Sequence, residues 1–364
     1  MRFLAGAGLA LLALTLAACA STPRGPMAPP VGPVTPRPPP RQPAPLYDDF
    51  AALPGWAQED HAAALAAFRR TCPVARSLDL AAACRKAEAL GDLGEAQARA
   101  FLEANFRPEP VGPPGLLTAY FAPVYEARRA PDAMFSAPVR PRPADLPEAD
   151  VTGGRDVPYA DRTTIEARPA SDALAWMRPE ELFFLQIQGS GVLVFENGAR
   201  AKAVFDGVNG LPFRGVAAPM REQGLLADAD TSGEAIRRWL AEHRGVEADA
   251  VMRLNPRYVF FRLAPDDGVD PAGAAGLPLL AGRSIAVDLT QHALGEVFWI
   301  DASAPALTDA FPSYRRLAMA LDTGGAIKGP VRADLYLGKG PDAGREAGRV
   351  RHALRLWRLV PTTP

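Results

Sequence analysis

The chain has 364 residues, 48% of them hydrophobic and 22% charged, with a formal net charge of −1. That balance fits a globular protein and gives no electrostatic footprint for a nucleic-acid partner. With an N-terminal leader and a linker set aside, roughly 320 residues remain, enough for two domains.

Arg2 supplies a positive start, and Leu4 to Leu16 is an apolar stretch too short to span a bilayer as a mature helix. It ends in Leu16-Ala17-Ala18-Cys19, which looks like a bacterial lipoprotein processing site. This predicts a signal peptide over 1–18 and lipidation of Cys19; the other reading is an ordinary secretory signal with a chance cysteine. Neither Ala20 nor Ser21 is an acidic retention signal, which directs the expected anchor to the outer membrane. The lipidated end and its Pro-rich linker occupy 19–46. The run Arg37-Pro38-Pro39-Pro40-Arg41 favours extended polyproline II, and at roughly 3.1 Å per residue the linker reaches about 70 Å. A passive spacer would look the same. Cys72 and Cys84, with eleven residues between them, then form an even pair that predicts a disulfide in an exported protein; two buried thiols are the alternative.

Residues 58–106 read as helical, with Ala64, Leu65 and Phe68 in one apolar set and Leu93, Ala96, Ala100 and Ala104 in another. Pro108, Pro110, Pro113 and Pro114 end the region. Beyond it strands dominate. Residues 116–121 are β-prone, and 183–195 read as a strand pair broken by Gly189-Ser190-Gly191, with Leu185 and Ile187 on one face and Gln186 and Gln188 on the other. A helix is predicted over 233–242. Short strands follow at 258–263, 284–289, 296–300, 317–322 and 332–337. Many short strands with Gly- and Pro-rich joints point to a barrel, so the class is mainly β with N-terminal helices, α+β.

The chemistry concentrates in the last third. Asp288 lies near the end of an apolar strand, and Asp322 ends another before Thr323-Gly324-Gly325-Ala326-Ile327-Lys328-Gly329. Period-two alternation puts Arg332, Asp334 and Tyr336 on one strand face and Ala333, Leu335 and Leu337 on the other. Taken singly, each aspartate is more often a turn cap than a catalytic group. The glycine turn lacks Walker and dinucleotide spacing, but its glycines can offer backbone N–H groups to a ligand oxygen. His61, His243, His292 and His352 are scattered, with no metal-ligand pair at i, i+4, and Gly189-Ser190-Gly191 is not a nucleophile elbow. No metal and no cofactor is expected, which leaves carboxylate chemistry.

Four segments carry a resemblance: 183–191 (Phe-Phe-Leu-Gln-Ile-Gln-Gly-Ser-Gly), 255–262 (Asn-Pro-Arg-Tyr-Val-Phe-Phe-Arg), 322–329 and Asp334-Leu335-Tyr336. Together, and in this order, they resemble the membrane-bound lytic murein transglycosylase A family, whose C-terminal "3D" domain is named for aspartates that Asp288, Asp322 and Asp334 match. The resemblance runs from about residue 60 to the C-terminus. Where the family usually has Thr-Gly-Tyr-Tyr, this chain has Thr118-Ala119-Tyr120-Phe121, and Phe205-Asp206-Gly207-Val208-Asn209-Gly210 replaces Tyr-Ala-Gly-x-Asn-Gly.

The resemblance implies a double-psi β-barrel domain built from 47–121 and 254–364, with a second β-rich domain, 122–253, inserted and a glycan groove between them. It implies cleavage of the β-1,4 bond between N-acetylmuramic acid and N-acetylglucosamine without water, the muramic acid C6 hydroxyl being the nucleophile. Asp334 then serves first as acid and next as base, with Asp322 and Asp288 as supporting carboxylates. An aspartic acid has an ordinary pKa of about 3.9, so acid catalysis at neutral pH needs a rise of about two pH units, about 2.7 kcal/mol. Burial or a neighbouring carboxylate supplies that, and a direct ion pair with Arg332 or Lys328 would oppose it, so neither is expected to pair with Asp334. Gln186, Gln188 and Ser190, with Gly189, are expected to bind acetamido and hydroxyl groups. Thr118, Gly324, Gly325 and Lys328 are further candidate contacts, and Tyr120 and Tyr336 either stack on sugars or pack the barrel. The expected partners are peptidoglycan strands, the outer membrane through Cys19 with the protein facing the periplasm, and a wall-growth protein complex. The alternatives are a hydrolase on the same barrel and a non-catalytic, peptidoglycan-binding lipoprotein.

Overall fold

The computed structural model describes residues 48–147, 158–227, 230–303 and 311–362, all within one compact unit, Pro45–Pro364. The expected signal peptide, Cys19 and the Pro-rich linker lie outside the described residues.

Three helices fill the region expected to be helical: α1 (His61–Thr71), α2 (Leu78–Ala89) and α3 (Glu95–Asn105). Each starts where a cap is available. Asp60 accepts from the Ala63 N–H and Ser77 from the Leu80 N–H, meeting donors that a first turn leaves open. Glu95, in the first turn of α3, ties α3 to α1 by accepting from the His61 and Ala62 N–H groups at 3.1 and 3.0 Å and bonding His61 Nδ1 at 2.5 Å. A disulfide joins Cys72, just past α1, to Cys84 within α2.

The strands follow as β1 (Phe106–Pro110), β2 (Gly115–Ala122), β3 (Val124–Ala127), β4 (Ala137–Val139), β5 (Ala175–Met177), β6 (Gly191–Phe195), β7 (Arg200–Val208), β8 (Val259–Pro265), β9 (Ser284–Ala286), β10 (Val297–Ser303), β11 (Ser313–Asp322), β12 (Arg332–Lys339) and β13 (Arg351–Pro361). The largest sheet runs β1-β13-β10-β11-β9-β12-β2, and β13 also pairs with β2. That extra pairing closes six strands into a barrel, with β1 attached to the outside of β13. Closure hides the sheet edges. Inside is one apolar core that includes Leu117, Phe298, Ile300, Ala333, Leu335 and Leu354. The outer face carries a second core, where Trp299, Met319, Trp357 and Tyr336 meet Leu65, Phe68 and Leu102 of the helices. The alternation expected along β12 therefore holds: Ala333 and Leu335 point inward, Tyr336 outward.

A four-stranded sheet, β3-β6-β7-β8, forms the second β-rich part. β2 leads into it through Pro123, whose carbonyl accepts from the Val192 N–H at 2.8 Å. β8 pairs with β7 in this sheet, although its residues lie past the limit of 253 expected for the inserted region. The remaining helices are α4 (Arg162–Glu166), α5 (Pro179–Gln188), α6 (Ala217–Glu222), α7 (Gly233–Glu242), α8 (Val246–Arg253) and α9 (Gly340–Ala347).

One expectation is overturned here. Residues 183–188 are not a strand; they are the C-terminal part of α5. Pro179 opens the helix and Gly189, with φ 84°, closes it in the left-handed conformation. Leu182 and Leu185 pack on the four-stranded sheet, while Phe183 packs among α6, α7 and α8. A helix buried on several sides loses the 3.6-residue signal, and the alternation Leu185-Gln186-Ile187-Gln188 then reads as a strand.

Candidate active site

Strand register assembles the site. In β9, Ala286 is the partner of Asp322 on β11 and of Asp334 on β12. In β2, Thr118 is the partner of Asp334 on the other side. Four adjacent strands thus carry Asp322, Ala286, Asp334 and Thr118 in one row across the barrel's outer face. At strand spacings of about 4.8 Å, the two aspartate backbones stand about 10 Å apart with only a methyl group between them.

The Thr118 hydroxyl donates to Asp334 Oδ1 and accepts from Arg332 Nη2 at 2.8 Å. Arg332 reaches the carboxylate through this hydroxyl, while Lys328 pairs with Asp288 at 3.8 Å. Burial pushes the Asp334 pKa up; the Thr118 bond and Arg332 pull it down and Asp322 adds to the rise, leaving it above the usual carboxylate range. Asp322 is also raised, chiefly by burial, against three donors: the Tyr120 hydroxyl at 2.7 Å and the Ala274 and Thr323 N–H groups, each at 2.9 Å. Two neighbouring carboxyl groups that resist ionisation are suited to donating or sharing a proton.

Both aspartates line a cavity of about 750 Å³. Thr118, Tyr120, Gly324 and Gly325 line it from the barrel side, and Gln186, Gln188, Gly189 and Ser190 from the end of α5. Gln188 joins the two sides by accepting from the Phe121 N–H at 3.1 Å, and Gln186 donates to the Val259 carbonyl at 3.4 Å. Tyr120 is buried with its ring 5.3 Å from that of Tyr336, so its exposed contribution to the cavity is small.

Three expected site residues stand apart from the cavity lining. Tyr336 is fully buried in the outer core against the Tyr120 ring, where burial and the charge of Asp270 raise its hydroxyl's pKa, so it packs the barrel and offers no face to a sugar. Asp288 accepts from the Thr290 N–H and hydroxyl at 3.1 and 2.9 Å and from the Gly329 N–H at 2.8 Å. Burial alone would raise it, but these donors and Lys328 prevail, and its pKa is lowered. Asp288 is the cap of the glycine turn, and Lys328 is its partner on that turn.

Ile187, Phe205, Phe213 and Arg257 also line the cavity and were not among the expected site residues. Phe205 is 44% exposed and Ile187 37%, which is high for large apolar side chains. The segment bearing Arg257 is braced from below: buried Arg162 donates to the Asn255 and Arg257 carbonyls at 2.9 and 2.7 Å, and Asn209 to the Pro256 carbonyl at 2.9 Å. A Cβ at Gly325 would lie 3.1 Å from Arg257 Nη1, so glycine lets the turn approach the guanidinium. Among the described residues, no group of three or more His, Cys, Asp or Glu side chains is arranged to hold a metal ion, and no helix is long and apolar enough to cross a membrane.

Residues 116–262 match the family described as the MltA specific insert domain, and residues 283–360 match the 3D domain. A curated relative, the membrane-bound lytic murein transglycosylase A of Vibrio cholerae, is 30% identical over 67% of this chain; the chain spans 65% of that relative's length. Among solved structures, a membrane-bound lytic murein transglycosylase from Agrobacterium tumefaciens is 32% identical with a TM-score of 0.77, over 86% of this chain and 97% of its own. The Escherichia coli MltA crystallised with bound chitohexaose is 26% identical with a TM-score of 0.65, over 84% of this chain and 90% of its own.

Proposed function

Because the chain belongs to the membrane-bound lytic murein transglycosylase A family, we propose that it cleaves the glycan strands of peptidoglycan between N-acetylmuramic acid and N-acetylglucosamine. The observation that carries this reading is the row Asp322–Ala286–Asp334–Thr118, with both carboxyl groups raised in pKa and lining a cavity of about 750 Å³. The cavity is the glycan groove. Asp334, its pKa pushed up by burial and by Asp322, protonates the leaving glycosidic oxygen. Its carboxylate then takes the proton from the muramic acid C6 hydroxyl as that oxygen attacks C1, giving a 1,6-anhydro end. One carboxyl group does both steps because the nucleophile belongs to the substrate, whereas hydrolysing glycosidases normally need a second.

Thr118 holds the Asp334 carboxyl in place and carries the influence of Arg332 without a direct ion pair. Asp322, anchored by Tyr120, offers its carboxyl oxygen lone pairs to the oxocarbenium-like transition state. Asp288 supports the site at one remove by holding the glycine turn. Gln186, Gln188 and Ser190 offer hydrogen bonds to the sugars, and Phe205, Phe213 and Ile187 offer apolar surface to pyranose faces. The barrel is of the double-psi type, and the inserted domain spans 122–265 once β8 is counted with its sheet. Lipidation of Cys19 anchors the protein at the outer membrane, facing the periplasm.

The test is Asp334→Asn, assayed by release of soluble fragments from purified peptidoglycan and by the mass of the products. The variant should fold, bind glycan and release nothing. Products of the natural protein should be lighter by one water than hydrolysis products. Full activity in the variant sinks the assignment, and products of hydrolytic mass point to a water nucleophile.

A further inference from the structure

A second cavity, of about 210 Å³, opens beside the first and shares Ala119 and Gln188 with it. Ala119 directly follows Thr118, the partner of Asp334, so the smaller cavity branches off close to the reacting row. One wall is α9 and the turn after it, with Arg345 and Arg349; the opposite wall is α7, with Arg237. Phe121 and Tyr125 lie between the walls. A Cβ at Gly344 would come within 2.7 Å of the Phe121 ring, so the glycine lets α9 rest directly on that ring.

The lining is cationic. Three guanidinium groups stand against the carboxylate of Glu234. Each has a neighbour that restrains it: Arg345 pairs with Asp342, Arg237 lies beside Tyr125 and Glu181, and Arg349 beside Asp230. A guanidinium has five N–H donors, so one such neighbour leaves others to bind a further anion. The planar fork matches a carboxylate bidentately.

We infer that this side cavity receives the peptide branch of peptidoglycan through a free carboxylate of that peptide. The inference rests on the glycan reading of the main cavity. Under that reading the strand lies along the main cavity, and muramic acid carries a lactyl group extended by a short peptide with free carboxylates. That branch has to leave the main cavity sideways, and the arginine-lined opening is the exit whose charge matches it.

The experiment uses full-length Asp334→Asn protein, so that binding is read without turnover. Its affinity is measured for murein oligosaccharides with and without their peptides. The peptide-bearing ligand should bind about 10-fold more tightly, the increment of one charge-assisted hydrogen-bonded pair. Adding Arg237→Gln, or separately Arg349→Gln, should erase that preference and leave the peptide-free affinity within about 2-fold, while Arg237→Lys keeps part of it. Equal binding of the two ligands, or equal weakening of both by the glutamine variants, overturns the inference and leaves the glycan reading standing. Binding of neither ligand overturns both.

Discussion

Two aspartate regions of one barrel have opposite chemistry. In the row across β11, β9, β12 and β2, Asp322 and Asp334 have raised pKa values because burial outweighs their hydrogen bonds. At the turn that follows β9, Asp288 is lowered because backbone amides, the Thr290 hydroxyl and Lys328 outweigh burial. The difference lies in the strand register and not in residue type. Asp322 also accepts from two N–H groups and stays raised, whereas Asp288 adds to its two N–H groups the Lys328 ammonium at 3.8 Å. The first arrangement keeps a proton available; the second fixes a loop.

The sharpest way to break this comparison is to remove each carboxylate's charge and follow activity. Asp334→Asn should cost about 10³-fold or more in fragment release, the range general acid–base groups supply. Asp288→Ala should act through the fold. Losing its bonds to the turn costs about 1–3 kcal/mol, read as a lower Tm, with turnover of the folded fraction changed much less. A dead but fully stable Asp288→Ala protein would put Asp288 in the chemistry and undo the contrast.

Stability against pH sharpens it further. A raised folded-state pKa means that stability is fully present below the unfolded value of about 3.9 and is lost as pH rises through the folded value. Asp322→Asn, which keeps the acceptor oxygen, should therefore raise Tm at neutral pH, with the gain fading on acidification. A lowered pKa has the opposite sign: its stability is present above about 3.9 and lost as pH falls through the folded value. Asp288→Asn should lower Tm at neutral pH, with the deficit shrinking in acid. Parallel Tm curves for the two variants would mean that the two environments do not differ as described. The smallest effect expected is that of Tyr120→Phe, which removes one donor to Asp322 and should lower turnover by about 2- to 10-fold.

Much of this was legible in the residues. The alternation Arg332-Ala333-Asp334-Leu335-Tyr336 has the period of a strand, and β12 keeps it: Leu335 is inside the barrel, Asp334 outside. Cys72 and Cys84 announced their pairing by number and spacing. Residues 183–188 misled because Leu185-Gln186-Ile187-Gln188 alternates like a strand, whereas the helix buries Leu185 and Gln186 alike. Tyr336 was on the expected face, but alternation gives a face and not an exposure, and the Tyr120 ring and the segment bearing Asp270 cover it. Phe205, Phe213 and Arg257 gave no signal because each acquires its neighbours from segments far away in the chain. The exposed Phe205 within a strand otherwise half-buried is the one hint, and it needs the structure to be noticed.

The closing strand has a consequence for how the molecule is made. β13, 11 residues long and later in the chain than all its partners, pairs with β1, β2 and β10. Phe106 meets Pro361, so the partners waiting for β13 are finished long before it exists. Until β13 leaves the ribosome, Leu354 and Leu356 are missing from the interior and the ring has a gap one strand wide. The barrel is therefore sealed only once β13 is made, and a chain stopped before Arg351 cannot present the row of aspartates on a closed wall.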